Sequence, residues 1–260
     1  MNTINNIPEF SIVTVCFNSE KTIKKTIESV LGQEFKDYEY IIVDGASKDG
    51  TMDVVKSYEE KFEGRLRYIS EPDKGIYDAF NKGVQMSKGK YVWIVNSDDY
   101  IEPNALENLY KTTSQYTFEN APIISAGMNL CKGKEIIPCF GSAEKAAIAY
   151  KKDWICSPHP STLIPLNVYN NIGLYNDKYY IAGDKDLLRR AYKLKVPFIY
   201  VDNVVTNMVY EGISSTSHFK KDYKDHVLFL KTHYKNPFVF LYRLSIWLLK
   251  FCFYKLRNKH

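Results

Sequence analysis

The chain has 260 residues, of which 45% are apolar and 25% are charged, and this composition is typical of a globular protein. Such a length accommodates one large α/β domain or two modest domains. The net charge of +5 is small and lies mostly in the last forty residues, so we expect no nucleic-acid partner.

The five cysteines form neither a Cys-x-x-Cys pair nor a zinc-like spacing, and the N-terminus shows no signal peptide. Free thiols of this kind are typical of a reducing compartment. We therefore expect a cytoplasmic protein whose cysteines are buried or idle.

The first hundred residues alternate strand-like and helix-like patterns. The predicted order is a strand at 10–17, a helix at 20–33, a strand that enters a loop at 38–51, a helix at 52–62, a strand at 66–71, a helix at 75–89 and a strand from 91. The strands are almost continuously apolar, whereas the helices repeat apolar residues with a helical period. This alternation indicates a mostly parallel central sheet with helices on both faces.

The alternation weakens after residue 103. The later predicted elements are strands at 121–130 and 134–140, which we expect to be antiparallel, a helix at 143–150, a strand at 159–165, a helix at 179–194 and a last strand at 197–205. Because no linker or repeat separates these elements, the sequence predicts one domain over 1–217, followed by a helical tail over 218–260.

Carboxylates follow the predicted parallel strands at the points where the strands end. The loops carry, in pairs, Asp44 and Asp49, Glu71 and Asp73, and Asp98 and Asp99. Ligands of such sheets bind at the carboxyl ends of the strands. Several acidic loops at one edge therefore indicate a metal or ribose site.

Asp98 and Asp99 follow an apolar strand, and Asn96 lies two residues before Asp98. Adjacent carboxylates repel each other unless a cation or water lies between them. Their oxygens suit Mg²⁺ or Mn²⁺, which bind a few protein oxygens together with diphosphate oxygens. The alternative is a solvated turn in which the Asp side chains cap the helix after Pro103.

A second segment, Asp44-Gly45-Ala46-Ser47, follows another predicted strand. An Asp that emerges from a buried strand accepts hydrogen bonds from the ribose or base of a nucleotide, although alone the segment is also an ordinary Asx-type turn. The chain contains neither Gly-x-Gly-x-x-Gly nor a P-loop pattern, so dinucleotide binding and P-loop binding are not supported.

The third segment is AGDKDLLRRAY, residues 182–192, which predicts the start of a helix. Asp184 and Asp186 lie in its first turn, where the helix dipole favours carboxylates. An Asp at this place is a candidate general base for an incoming hydroxyl group. The alternative is that both carboxylates only stabilise the helix and pair with Arg189 and Arg190.

Together the three segments resemble the family 2 glycosyltransferases of the GT-A fold. The resemblance covers residues 8 to 215 and rests on SIVTVCFN, IIVDGASKDGT, GIYDAFNKGVQMSKGKYVWIVNSDD and AGDKDLLRR. DKGIYDAFNKG and HPSTLIP are most similar to bacterial transferases that build capsular or extracellular polysaccharide. The resemblance implies a GT-A fold and a nucleotide-diphosphate sugar as donor, with a UDP-sugar expected.

The resemblance also implies roles for individual residues. Asp44 matches the Asp that binds the donor nucleotide, and Asp184 matches the catalytic base. Asp98 matches the Asp that holds the metal and the donor, with Asp99 in support at the metal. The further nucleotide-binding candidates are Asn18 and Asp73, and residues of lower weight are Asn81, Asn96, His159, Arg190 and His218.

Two residues depart from the family pattern. Asn96 stands where an Asp is usual, which removes one charge from the metal site. Gly183 stands where a Glu is usual, so Asp186 is an alternative base. The Gln-x-x-Arg-Trp motif of processive synthases is absent, and we expect one sugar to be added per acceptor.

The implied reaction is an inverting transfer of one hexosyl or N-acetylhexosaminyl group, with Mn²⁺ or Mg²⁺ as cofactor. The expected acceptor is a hydroxyl group of a polyprenyl-diphosphate-linked oligosaccharide. Two alternatives stay open: transfer to polyprenyl phosphate itself, for which loss of Asp184 would matter little, and a non-catalytic membrane-bound subunit that keeps the fold.

The end of the chain, residues 236–260, is apolar almost all round. Arg243, Lys250 and Arg257 recur every seven residues, in one narrow stripe of a helix. No uncharged run reaches the ~20 residues that a spanning helix needs. We expect a helix in the membrane interface, peripheral on the inner face of the cell membrane, with packing on the domain or on a dimer partner as the alternative.

Overall fold

The structure is a computed structural model that describes residues 7–139, 157–210 and 219–257. These residues form strands β1 (Phe10–Cys16), β2 (Tyr38–Asp44), β3 (Leu66–Ser70), β4 (Tyr91–Ile94), β5 (Tyr100–Ile101), β6 (Ile123–Lys132), β7 (Glu135–Cys139), β8 (Thr162–Pro165) and β9 (Phe198–Val209). The helices are α1 (Ile23–Leu31), α2 (Thr51–Ser57), α3 (Ile76–Met86), α4 (Ala105–Thr113), α5 (Leu166–Ile172), α6 (Gly183–Lys193), α7 (Phe219–His233) and α8 (Pro237–Arg257). The helix predicted at 143–150 lies outside the described residues.

All described strands belong to one mixed sheet with the order β3-β2-β1-β4-β8-β6-β9-β5, and β7 pairs with β6. Four neighbouring strands, β3, β2, β1 and β4, are parallel to one another, and β9 runs parallel to β6. β8 is antiparallel to both of its neighbours, as is β5 to β9 and β7 to β6. The largely parallel α/β sheet is confirmed, and so is the antiparallel pairing of the strands predicted at 121–130 and 134–140.

Strand β1 shows how both faces of the sheet are covered. Its seven residues are all buried, and Ile12 and Val13 belong to two different apolar clusters, one on each face. Helices α1, α2 and α4 contribute to the first cluster, and α3, α5, α6 and α7 contribute to the second. A strand buried on both faces is apolar along most of its length, and β1 has only Ser11 and Thr14 as polar residues, which is why this strand is visible in the sequence.

Helix α2 is shorter than the predicted helix over 52–62. It ends at Ser57, and a separate 3₁₀ turn follows at Glu60–Phe62. Glu63 then adopts a left-handed backbone conformation, with a φ of 54°. Val55 and Phe62 are both buried against the same cluster, so the apolar spacing alone does not reveal the break between them.

Both C-terminal helices contact the second cluster, α7 with buried residues and α8 with partly buried ones. Phe229 and Leu230 of α7 are buried in the second cluster, although the predicted boundary at 217 assigns α7 to the tail. We propose that the domain extends through α7. On α8, the ring of Trp247 stacks on that of Phe219 in α7, and the ring of Phe251 contacts Phe219 at a tilt. None of the described helices has both the length and the apolar character required to cross a membrane.

The packing of α3 on β1 generates a prediction about stability. A Cβ atom at Gly83 in α3 would overlap the side chain of Val13. Gly→Ala in an unobstructed helix stabilises by about 1 kcal/mol, but overpacking reverses the sign here. We expect Gly83→Ala to lower the free energy of unfolding by about 1–3 kcal/mol, measured by urea denaturation.

A control for this substitution is Gln85→Ala, at an exposed position of the same helix. It should change the free energy of unfolding by less than about 0.5 kcal/mol. A Gly83→Ala variant more stable than the wild type would contradict the close contact between α3 and β1.

Candidate active site

The parallel strands bring their carboxyl ends to one edge of the sheet. Cys16 at the end of β1 pairs with Asp44 at the end of β2, which in turn pairs with Ser70 at the end of β3. Ile94 at the end of β4 pairs with Val13 of β1. The loops that carry the carboxylates of β2, β3 and β4 therefore start side by side.

Asp44 is fully buried and organises the loop that follows it. Its Oδ2 accepts hydrogen bonds from the Ser70 hydroxyl at 2.6 Å and from the Ser47 backbone N–H at 3.0 Å. Its Oδ1 accepts from the Ser47 hydroxyl and, at 3.6 Å, from the Cys16 thiol. Burial, and next the charge of Asp44, raise the pKa of Cys16, so the thiol stays protonated as a donor. The carboxylate thus holds three chain segments together.

Phe17, which the sequence analysis missed, projects from the end of β1 with 62% of its surface exposed. A Cβ atom at Gly45 would lie 3.3 Å from its ring and 2.5 Å from Oδ2 of Asp73. The glycine therefore lets the aromatic ring and the carboxylate approach the same loop. The backbone of Asn18 adopts a left-handed conformation, with a φ of 51°. Its Oδ1 accepts a hydrogen bond from the Lys48 N–H at 2.9 Å, which joins the loop after β1 to the loop after β2.

The two adjacent carboxylates after β4 have different surroundings. Asp99 is only 2% exposed, and it accepts hydrogen bonds from the Val209 N–H at 3.0 Å and from Nδ2 of Asn96 at 3.3 Å. Burial is the largest cause that raises the pKa of Asp99, to about 7, and the negative charge of Asp98 is the second cause. Both oxygens of Asp99 face protein donors, so this residue joins β9 to the loop after β4.

Asp98 is half-buried, and within the described part of the chain no other side chain bonds its carboxylate. Burial raises its pKa. Oδ1 of Asn96 is buried and has no hydrogen-bond partner among the described residues. Carboxylate and amide oxygens of this kind are ligands for a divalent cation that takes its other ligands from a diphosphate and water. The described residues contain no group of three or more His, Cys, Asp or Glu that would hold a metal alone.

Asp184 lies in the first turn of α6 and is linked to the start of α3. Its Oδ1 is 3.4 Å from the hydroxyl of Tyr77. Burial, and next the charge of Asp184, raise the pKa of Tyr77, so its hydroxyl stays protonated and donates. A Cβ atom at Gly183 would lie 2.8 Å from three atoms of the Tyr77 ring. At position 183, where the family pattern has a Glu, the ring of Tyr77 therefore fills the space that a side chain would need.

Asp186, the alternative base, lies on the opposite side of the same helix turn and is 1% exposed. Its carboxylate accepts from Nε2 of His233 at 2.8 Å and from Nε of Arg190 at 2.9 Å. Burial would raise the pKa of Asp186, but the bonds from His233 and Arg190 outweigh it and lower the pKa. Arg190 also donates to the Leu174 carbonyl at 2.7 Å. The carboxylate of Asp186 and the guanidinium of Arg190 are therefore both engaged in hydrogen bonds within the protein.

The remaining candidates support the neighbourhood of Asp184. His159 stacks on Phe80, with ring centroids 5.3 Å apart, and its Nε2 is 3.0 Å from the Tyr175 hydroxyl. Burial lowers the pKa of His159. The side-chain amide of Asn81 bonds both the N–H and the carbonyl of Tyr175, at 2.9 Å each. His218 lies outside the described residues.

The chain matches known proteins over the part that contains this edge. Residues 11–121 match the model of the family described as glycosyl transferase family 2. The chain is 28% identical to the chondroitin synthase of Escherichia coli over 239 residues, which is 84% of this chain and 32% of that protein. It spans about a third or less of the length of the first curated relatives that it matches.

Solved structures share the fold. The crystal structure of S. aureus TarS 1-349 in complex with UDP-GlcNAc superposes with a TM-score of 0.69 at 21% identity, covering 85% of this chain and 65% of that one. The mannosyltransferase from Pyrobaculum calidifontis in complex with GDP-Man and Mn²⁺ gives a TM-score of 0.64 at 15% identity, covering 88% and 65%. The match of residues 11–121 to the model of glycosyl transferase family 2 confirms the resemblance identified from the sequence.

The contact between Gly183 and Tyr77 generates a prediction. We expect Gly183→Ala to lower the free energy of unfolding by about 1–3 kcal/mol because the new methyl group overlaps a buried ring. In a double-mutant cycle, Tyr77→Leu should remove part of that cost, which urea denaturation of the four proteins measures. Strictly additive effects would show that the ring does not fill the space beside Gly183.

Proposed function

We propose that the protein transfers one sugar from a nucleotide-diphosphate sugar, expected to be a UDP-sugar, to a hydroxyl group of a lipid-linked oligosaccharide. The observation that carries this proposal is the half-buried carboxylate of Asp98, which bonds no other side chain among the described residues. Asp98 follows β4 at the edge of the sheet where the loops after β1, β2 and β3 also start. The similarity to a chondroitin synthase supports a role in polysaccharide biosynthesis.

The loops after β1, β2 and β3 would bind the nucleotide. The exposed ring of Phe17 offers a flat apolar surface on which a base can stack, and Asp73 lies beside the same glycine, Gly45. Asp44 is buried under three hydrogen-bonded segments, so we propose that it fixes the shape of this loop and that Asn18 holds the loop to β1.

Asp98, with Oδ1 of Asn96, would hold a divalent cation, Mn²⁺ or Mg²⁺. When bound, such a cation neutralises the negative charge that develops on the departing diphosphate. Asp99 would support this site indirectly, because its two oxygens already bond Val209 and Asn96. The neutral Asn96 leaves the pair of protein ligands with one negative charge, and the diphosphate supplies further anionic oxygens.

Asp184 would act as the general base. It is half-buried at the start of α6, and the Tyr77 hydroxyl donates to one of its oxygens, which orients the carboxylate. It takes the proton from the acceptor hydroxyl as that oxygen attacks the anomeric carbon opposite the leaving nucleotide. The bond to the diphosphate oxygen breaks as the new glycosidic bond forms, so the anomeric configuration inverts. Asp186 is occupied by His233 and Arg190 and does not suit this role.

The donor is identified by measuring hydrolysis and transfer from a panel of UDP-, GDP- and dTDP-sugars, with membrane extracts that supply lipid-linked acceptors, with and without Mn²⁺. We expect turnover of one donor, dependent on the cation. Asp98→Ala should reduce turnover by at least about 100-fold, because charge stabilisation in the transition state is lost.

Asp53→Ala is the matched control, since Asp53 is an exposed carboxylate on α2. Its turnover should equal that of the wild type. Absence of turnover for every donor, with acceptors present, would contradict the proposed transfer and favour a non-catalytic subunit.

A lipid-linked acceptor implies a membrane surface nearby, and α8 offers a face for it. Four large apolar residues on this helix, spaced to lie along one side, are exposed: Phe238, Leu241, Tyr242 and Leu249. Residues 219–260 contain ten Lys or Arg and only two Asp or Glu, whereas the whole chain has a net charge of +5. We therefore propose that this helix lies in the interface of an anionic membrane.

Sedimentation with vesicles tests this membrane contact. The wild type should bind vesicles that contain phosphatidylglycerol more strongly than vesicles of phosphatidylcholine alone, because anionic lipid attracts the basic segment. The double variant Leu241→Glu/Leu249→Glu should lose most of this binding. Ile136→Glu, at an exposed apolar residue of β7, is the control; equal binding by all three proteins would contradict the proposal.

A further inference from the structure

A single carboxylate from α7 bonds three consecutive backbone amides in front of α6. Asp225 is 4% exposed. Its oxygens accept from the N–H of Tyr180 at 2.8 and 3.0 Å, from that of Ile181 at 2.6 Å and from that of Ala182 at 3.1 Å. A charged acceptor shared by three donors is stronger than a neutral one and fixes the path of the chain through all three residues.

These amides belong to the segment that leads directly into the helix of the candidate base. Ala182 is the N-cap of α6 and has no side-chain oxygen with which to bond the first amides of the helix. Asp184 follows two residues later. The carboxylate of Asp225 thus supplies from a distant part of the sequence the anchoring acceptor that the local sequence lacks at this helix start.

The last residue of α7 makes two further contacts with α6, one in the first turn of α6 and one at its end. His233, at the end of α7, donates from Nε2 to Asp186 at 2.8 Å. Lys193, at the end of α6, donates to the His233 carbonyl at 3.1 Å. Between these contacts, Phe229 of α7 is buried in the cluster that includes α6. Helix α7 therefore holds α6 near both of its ends.

We propose that Asp225 is a positioning residue: it holds residues 180–182 so that Asp184 faces the acceptor hydroxyl. This inference rests on the proposed role of Asp184 as general base. Within the described part of the chain, Asp225 bonds residues 180–182 and none of the donor-binding loops, so we expect its contribution to fall on the proton-transfer step and not on nucleotide binding. A displacement of the base by about 1 Å is enough to reduce the rate by about 100-fold.

Asp225→Asn separates these effects, because an amide has one acceptor oxygen and presents an NH₂ group where three N–H donors converge. Hydrogen exchange of the Tyr180, Ile181 and Ala182 amides reports the contact directly and independently of activity. In the full chain, kcat for transfer is measured with the donor that the wild type uses, the dissociation constant is measured with UDP, and Tm reports folding.

We expect faster exchange at the three amides, a Tm lower by a few degrees because buried N–H donors lose a charged acceptor, and a kcat lower by about 10–100-fold, with UDP affinity close to the wild-type value. Asp225→Glu, which restores the carboxylate, should recover part of kcat. Asp202→Asn, which removes the same charge at an exposed position of β9, should retain wild-type exchange and kcat.

An unchanged kcat in Asp225→Asn despite faster exchange would overturn the inference. A parallel loss of kcat, UDP affinity and Tm without recovery in Asp225→Glu would also overturn it, because the residue would then serve only folding. A wild type inactive with every donor would instead overturn the proposed function, and this inference with it, so the two failures are distinguished by the wild-type protein.

Discussion

The parallel register of β1, β2 and β3 is the constraint on which the candidate site depends. Because Cys16, Asp44 and Ser70 are aligned across three strands, the loops after these strands start at one edge and share hydrogen bonds through the buried Asp44. The loop after β4 joins them because β4 pairs with the other side of β1. The strand pairing of the sheet therefore brings together acidic loops that are distant in the sequence.

The second half of the chain also contributes contacts to these loops and to the helix after β3. Antiparallel β8 connects β4 to β6, which places β9 where the Val209 N–H reaches Asp99. Helix α6 packs in the cluster that contains α3, where the Tyr77 hydroxyl meets Asp184. The candidate base and the candidate diphosphate site thus belong to different parts of the chain, and each is fixed by contacts that the other part supplies.

The sequence predicted the strand-end carboxylates and the parallel strands because both signals are local: apolar runs that end in polar loops. It left the choice between Asp184 and Asp186 open, since the partner that occupies Asp186 is His233, 47 residues later. The reason for Gly183 was equally hidden, because the ring that fills its space belongs to Tyr77 of α3. Phe17 was missed because its apolar strand gives no indication that this one residue is exposed.

The role of Asp184 is the central claim, and it is tested most directly by measuring transfer and UDP binding for Asp184→Asn. Loss of a general base should reduce the transfer rate by about 10²–10⁴-fold, whereas the dissociation constant for UDP should stay close to the wild-type value. Transfer that persists within about tenfold of the wild type would contradict this role. That outcome would favour an acceptor that is already ionised, such as polyprenyl phosphate, which attacks without the help of a base.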